Sequence, residues 1–288
     1  MSTLTPEQIA IRSTGIGSSE IAMLCGESPY GGPHSVWLSK MGLRDDEHSE
    51  PAWWGSQMEP IVAARWEHET GQKLVKGSGT YRDSRYPVAV ASPDYLTEDG
   101  RIVECKCAFR TAASWSLDDD GAPTGYIMQG QWLCGVLGAP GFDLAVFLAP
   151  FATFRIYRFD FDAELFGAAY SIADRFWREH VLTRNPPPAD DSEAARKALR
   201  AIHRPLAELA DATADADARY RAKAEADSAF KTAEQAKALA DNRLVEAIVK
   251  SGADGLRGES WIATWKENKR GVRSLRVKDL NETKGRAA

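Results

Sequence analysis

Ser92-Pro93-Asp94 and, ten residues past that aspartate, Glu104-Cys105-Lys106 are the side chains best placed by type and spacing to do chemistry. An Asp-Gly pair between apolar runs signals a hairpin. Val88-Ala89-Val90-Ala91 and Arg101-Ile102-Val103-Glu104 are therefore expected as two strands joined through Thr97-Glu98-Asp99-Gly100. Side chains alternate along a strand, which sends Glu104 and Lys106 to one face and Val103, Cys105 and Cys107 to the other. An Asp and a Glu on neighbouring strands repel each other unless a cation lies between them, and hard oxygen donors of this kind suit Mg²⁺ or Mn²⁺. Lys106 would lie beside such an ion, where an ammonium can orient a water or offset phosphate charge. Taken alone, Glu-x-Lys in a strand is equally the pattern of a solvated edge.

Stepping outward from the hairpin, Thr5-Pro6-Glu7 starts a short helix over residues 6–12. Gly15-Ile16-Gly17-Ser18-Ser19-Glu20 then runs into Ile21-Ala22-Met23-Leu24. Free backbone N–H groups and serine hydroxyls at a helix start suit an anion, although many such starts bind nothing. Helices are expected over 34–41 and 52–70, the second stopped by Gly71. Trp54, Met58, Ile61/Val62, Arg65/Trp66 and Glu69 would form its packed face, with Glu59 one residue off the stripe. A strand is expected over 73–81, a short helix over 111–117, and a solvated acidic turn at 118–120. Residues 125–137 read as a helix with Tyr126, Gln129 and Leu133 on one face and Gln131 turned away. Strands over 142–148 and 153–159 and an amphipathic helix over 163–182 complete this part, and Pro186-Pro187-Pro188 marks a boundary.

The chain has 288 residues, 43% hydrophobic and 27% charged, with nine tryptophans. That is enough for one sizeable core and an appendage. No apolar run is long enough to span a bilayer, and Met1-Ser-Thr-Leu-Thr-Pro-Glu lacks the regions of a signal peptide, so an intracellular protein is expected. Cys25, Cys105, Cys107 and Cys134 have no spacing for a zinc or iron–sulfur site and read as buried thiols. Net charge is −5, which is not the footprint of a protein that coats nucleic acid. The charge is uneven, however: residues 255–288 hold nine Lys/Arg against four Asp/Glu. Beyond the prolines, Leu199, Ile202, Leu206, Leu209, Thr213, Ala216 and Tyr220 follow a heptad seam that weakens toward Phe230. Pro205 divides it, a long helix runs to about Lys250, and 255–278 reads as a hairpin containing Trp261 and Trp265.

Pro93-Asp94, Glu104 and Lys106 resemble the PD-(D/E)xK signature of restriction-endonuclease-like nucleases. Arg12, G-I-G-S-S-E, W-G-S-Q-M-E, S-P-D, E-C-K and Tyr126-Ile-Met-Gln129-Gly-Gln131 follow in the order found in YqaJ-like viral recombinases, relatives of phage lambda exonuclease. The resemblance spans about residues 12–180. It implies an α/β fold: a restriction-endonuclease-like core, a central mixed sheet flanked by helices, carrying here a C-terminal helical extension and a small β-hairpin. Pro186-Pro187-Pro188 and the shift in composition beyond them divide the chain into a nuclease domain, 1–188, a helical extension, 189–252, and a basic tail, 253–288, and the segment from 190 onward matches no part of lambda exonuclease. The implied activity is Mg²⁺- or Mn²⁺-dependent digestion of double-stranded DNA from the 5′ end, feeding a single-strand annealing protein, by a phage or prophage protein in the cytoplasm of a bacterial host. By the resemblance, Asp94 and Glu104 are the metal carboxylates, with Glu59 a further acid beside the ions. Lys106 positions the attacking water, and Gln129 is the first glutamine of the Y-x-x-Q-x-Q helix. Arg12, with Ser18 and Ser19, holds the 5′-phosphate. Tyr95 departs from the pattern, since many relatives have glycine there. A DNA-end-binding or assembly protein with a decayed core, or an endonuclease on the same core, stays open, as does homo-oligomer formation.

Overall fold

The computed structural model describes residues 6–43, 50–109, 115, 121–149, 152–203, 209–267 and 271–280. The chain forms two compact units, Met1–Arg204 and Pro205–Ala288. In the first, a five-stranded sheet has the order β1 (Leu74–Lys76), β2 (Tyr95–Thr97), β3 (Ile102–Ala108), β4 (Gly141–Leu148), β5 (Thr153–Asp160). The β3–β4 pair is parallel and the other three pairs are antiparallel. A parallel pair needs a crossover, and α5 (Thr124–Leu137) supplies it. The sheet is therefore mixed and flanked by helices, the α/β core that the resemblance implies.

Alternation along β3 and β4 builds two apolar layers. Ile102, Leu144, Val146 and Leu148 join the large core under α5, with α2 (Ser18–Leu24), α3 (Pro33–Lys40) and α6 (Ala163–Phe176) contributing. Val103 and Ala145 face the other way and pack with Tyr95 on Val62, Ala63 and Trp66 of α4 (Glu50–Thr70). The close fit of α5 depends on Gly130, where a methyl would lie 2.1 Å from the Phe142 ring.

Asp143 locks the layers together. It is fully buried and accepts from Arg101 Nε at 2.9 Å, from Arg158 Nε and Nη2 at 3.0 Å each, and from Trp66 Nε1 at 3.1 Å. Asp143→Ala should cost about 3–5 kcal/mol, because the largely buried Arg101 loses the carboxylate that compensates its desolvation and the buried Trp66 Nε1 loses its acceptor. Urea denaturation of the variant measures this, and a loss under about 1 kcal/mol would reject the role.

Several local expectations change. Val88–Ala91 is not the partner of β3: it makes isolated bridges, Ala89 with Ile16 and Ala91 with Tyr81. The turn explains this, because Thr97 N donates to Arg101 O, which sets Tyr95 opposite Val103 and leaves 88–91 too far upstream. The strand expected over 73–81 is only Leu74–Lys76, since the chain bends at Gly77. There a Cβ would stand 2.1 Å from Pro93 O. Trp54 and Ile61, expected in the packed face of α4, are 48% and 58% exposed, since only the part of the helix lying over β3 and β4 finds sheet to cover. Pro60 sits inside α4 and cannot donate to the carbonyl of Ser56. The helix expected over 111–117 and the turn at 118–120 lie outside the described residues, Trp115 excepted.

The first unit continues past the three prolines through α7 (Glu193–Ile202), which packs on α3. The seam is divided between two helices, as expected, and Thr213 is the N-cap of the second, α8 (Ala214–Ser251), its hydroxyl accepting from Ala216 N at 3.2 Å; Pro205 itself lies outside the described residues. The expected terminal hairpin is a three-stranded meander, β6 (Gly255–Arg257), β7 (Trp261–Glu267) and β8 (Arg273–Asp279). No helix among the described residues is long and apolar enough to cross a membrane.

Candidate active site

Asp94 stands just before β2, Glu104 and Lys106 lie on β3, and Gln129 projects from α5. Gly77 N donates to Asp94 O at 2.8 Å, so the bend after β1 helps fix the Pro93-Asp94 corner. Cys105 N donates to Asp94 Oδ2 at 2.9 Å, and Asp94 N donates to Glu104 Oε1 at 3.2 Å. Lys106 Nζ and Gln129 Nε2 each donate to Glu104 Oε2 at 3.0 Å. Four residues named from the sequence thus meet within one hydrogen-bonded group. The Lys106 ammonium also lies over the Tyr126 ring, 5.6 Å from its centroid, and Trp115 stacks on Tyr126.

Electrostatics mark the same group. Glu104 is buried, and burial followed by the charge of Asp94 pushes its carboxyl from 4.5 up to about 7. Burial alone would lower Lys106, but the charges of Glu104 and Asp94 hold its ammonium above the ordinary range. Cys105 lies on the opposite face, and burial raises its thiol strongly. Burial likewise lifts Cys25 to about 11 and Cys134 to about 12. All four cysteines are free thiols.

Glu59 does not join this group. Its Oε1 lies 3.3 Å from Lys76 Nζ, and its carboxylate is hydrogen-bonded to Tyr95, whose hydroxyl is pushed up to about 12 by burial and then by the Glu59 charge. Tyr95, the departure from the family pattern, is thus a buried strut between α4 and the sheet. Among the described residues no three Asp, Glu, His or Cys side chains converge on one point. Two adjacent carboxylates still fit Mg²⁺ or Mn²⁺, because Mg²⁺ is commonly held by one or two carboxylates together with waters and substrate phosphate. The donors Asp94 and Glu104 are hard oxygens.

A second group gathers at α2. Ser18 and Ser19 occupy its first two positions, and Gly17 N donates to Glu20 Oε2 at 2.7 Å. Lys40 Nζ lies 2.6 Å from that same oxygen and donates to Arg12 O at 2.9 Å. Burial lowers the Lys40 ammonium, the Glu20 carboxylate opposes that shift, and the Arg12 charge adds to it. Among the described residues the Arg12 guanidinium has no carboxylate or carbonyl partner, and Glu20 pairs with Lys40. Lys40 was not singled out from the sequence; a lysine ending a short helix carries no signal of its own. Gln131, by contrast, is structural as its direction implied: Nε2 donates to Asp160 O and Oε1 accepts from Asp162 N.

A mixed sheet whose Asp and Glu meet beside a lysine, with a glutamine reaching down from the crossover helix, defines a restriction-endonuclease-like core. Residues 8–139 match the YqaJ-like viral recombinase domain. YqaJ of Bacillus subtilis strain 168 is 30% identical over 202 residues, covering 67% of this chain and 62% of that protein; the chain thus spans somewhat under two thirds of its relative. The fold is similar to that of an alkaline exonuclease, LHK-Exo, from Laribacter hongkongensis. The TM-score is 0.51 at 21% identity, over 63% of this chain and 94% of that one. The same enzyme in complex with dAMP gives 0.50 at 18%, over the same shares.

Proposed function

We propose that this protein is a metal-dependent exonuclease that degrades linear double-stranded DNA from the 5′ end and leaves 3′ single strands for an annealing protein. The observation that carries the reading is the convergence of Asp94, Glu104, Lys106 and Gln129 in one hydrogen-bonded group. Asp94 and Glu104 would hold Mg²⁺ or Mn²⁺, which supplies Lewis acidity at the phosphate and activates water. Lys106 keeps an ammonium within reach of the attacking water and of the charge that develops on phosphorus. Gln129 fixes the Glu104 carboxylate so that its other oxygen stays turned toward Asp94. Glu59 acts from the α4 side by setting Tyr95, and through it the Asp94 corner. Arg12, Ser18 and Ser19, backed by Lys40, receive the terminal 5′-phosphate, which carries more charge than an internal diester. Likeness to an exonuclease crystallised with dAMP supports a nucleotide-releasing reaction.

In Mg²⁺, linear duplex labelled at the 5′ end should lose its label before the 3′-labelled duplex does. Closed circular duplex should survive, and excess EDTA should stop the reaction. Cutting of closed circles would make the enzyme an endonuclease, and inertness toward all three would favour a DNA-end-binding protein.

A further inference from the structure

The meander β6–β7–β8 has two chemically different faces, and register assigns every side chain to one of them. Leu256 lies across from Ala263, which lies across from Val277, and Trp265 lies across from Leu275. That apolar face lies on the side of α8: the helix packs on β7, and Ile248 and Ala263 are both buried. Across the sheet the rows read Arg257, Ile262, Lys278; then Gly255, Thr264, Arg276; then Lys266, Ser274. Four cations and two hydroxyl residues share this face. No acidic side chain of the three strands points to it, because Glu267 and Asp279 are on the other side, where Glu267 lies 3.7 Å from Arg273. All four cations are exposed and have no ion pair among the described residues.

We infer that this face is a second nucleic-acid site, which grips the phosphate backbone of duplex DNA without reading its sequence. Side chains on one face of a strand repeat every ~7 Å, and neighbouring strands stand ~4.8 Å apart, so the cations form a regular array facing a polymer of regularly spaced charges. Backbone contacts position a protein without specifying bases. The tryptophans decide between duplex and single strand. Trp261 and Trp265 belong to the opposite face, so the basic face lacks the aromatic platform on which unstacked bases rest. It also lacks the buried apolar anchors that dominate protein–protein contacts, since Ile262 is its one large apolar side chain. The choice of DNA as the polymer rests on the proposed function; the geometry of the face does not.

The full-length protein is tested in EDTA, where hydrolysis cannot occur, by anisotropy of a labelled duplex across a range of NaCl. Each phosphate neutralised contributes about −0.9 to the slope of log K against log salt. Combined Arg257→Ala, Lys266→Ala, Arg276→Ala and Lys278→Ala should flatten the slope by about 3.6 and weaken two unrelated duplex sequences equally. Arg273→Ala, on the apolar side, should leave the slope alone. Circular dichroism checks the fold. If the fourfold variant unfolds, Arg276→Gln and Lys278→Gln singly should each remove about 1 from the slope, and Arg276→Lys should keep it. A folded fourfold variant with the original slope overturns the site and would hand the face to an acidic protein. Because no cleavage is measured, a failure here leaves the exonuclease reading standing, and an inert nuclease leaves this test valid.

Discussion

With Asp94 replaced by Asn, linear duplex should survive incubation with Mg²⁺ while the protein stays folded. The fold is expected to hold because the Asn amide oxygen can still accept from Cys105 N, the bond that Asp94 Oδ2 makes at 2.9 Å, and Asp94 N still donates to Glu104. Activity is lost because one of two adjacent carboxylates no longer carries charge. Several kcal/mol of charge stabilisation at phosphorus depend on a correctly held ion, which corresponds to a fall of roughly a thousandfold or more. Metal-free stability should move the other way, and its pH dependence has a definite sign. Glu104 titrates near 4.5 when unperturbed and at about 7 in the fold. The folded state therefore holds this proton more tightly than the unfolded chain, and the contribution of Glu104 to stability is fully present below 4.5 and is lost as pH rises through about 7. Part of the decline comes from the Asp94 charge, so Asp94→Asn should raise the melting temperature in EDTA at pH 8 and leave it little changed at pH 4. Calorimetry at the two pH values measures this. Undiminished cleavage by Asp94→Asn would remove the mechanism.

The second large effect is expected at Arg12. Wild-type protein should degrade 5′-phosphorylated duplex faster than 5′-hydroxyl duplex, and Arg12→Ala should erase most of that difference. A charge-assisted contact to a phosphomonoester contributes about 1.5–3 kcal/mol, or roughly ten- to a hundredfold in rate. Arg12→Lys should restore only part, because an ammonium lacks the guanidinium fork. Metal affinity should be unchanged, since the Arg12, Lys40 and Glu20 group shares no hydrogen bond with Asp94 or Glu104. Initial rates on the two duplexes decide the matter. Equal rates in the wild type would make Arg12 an ordinary surface cation.

Local periodicity made much of the chain legible in advance. The helix over 125–137, the strands over 142–148 and 153–159, and the helix over 163–182 all stand within a few residues of where pattern and breakers put them, because their apolar repeat matches the face that is buried. The Thr97–Gly100 turn was legible for a similar reason: Gly100 adopts φ +82°, which its neighbours would resist. Alternation along β3 likewise separates Glu104 and Lys106 from Val103 and Cys105 by sequence alone.

What pairs with what was decided by tertiary structure. Val88–Ala91 has a strand's composition, yet the tight turn hands the place beside β3 to Tyr95–Thr97, and the displaced segment instead bridges Ile16 and Tyr81. Glu59 looked like a third acid at the site, but α4 covers the opposite layer of the sheet, where Lys76 and Tyr95 hold its carboxylate. Lys40 meets Arg12 across 28 residues, and the four cations of the C-terminal sheet share a face only because three strands pair in one register. A sequence sets the spacing of side chains along each element through bond geometry. Which acid loses its water, and which cation is left without a partner, depends on the elements that close over it.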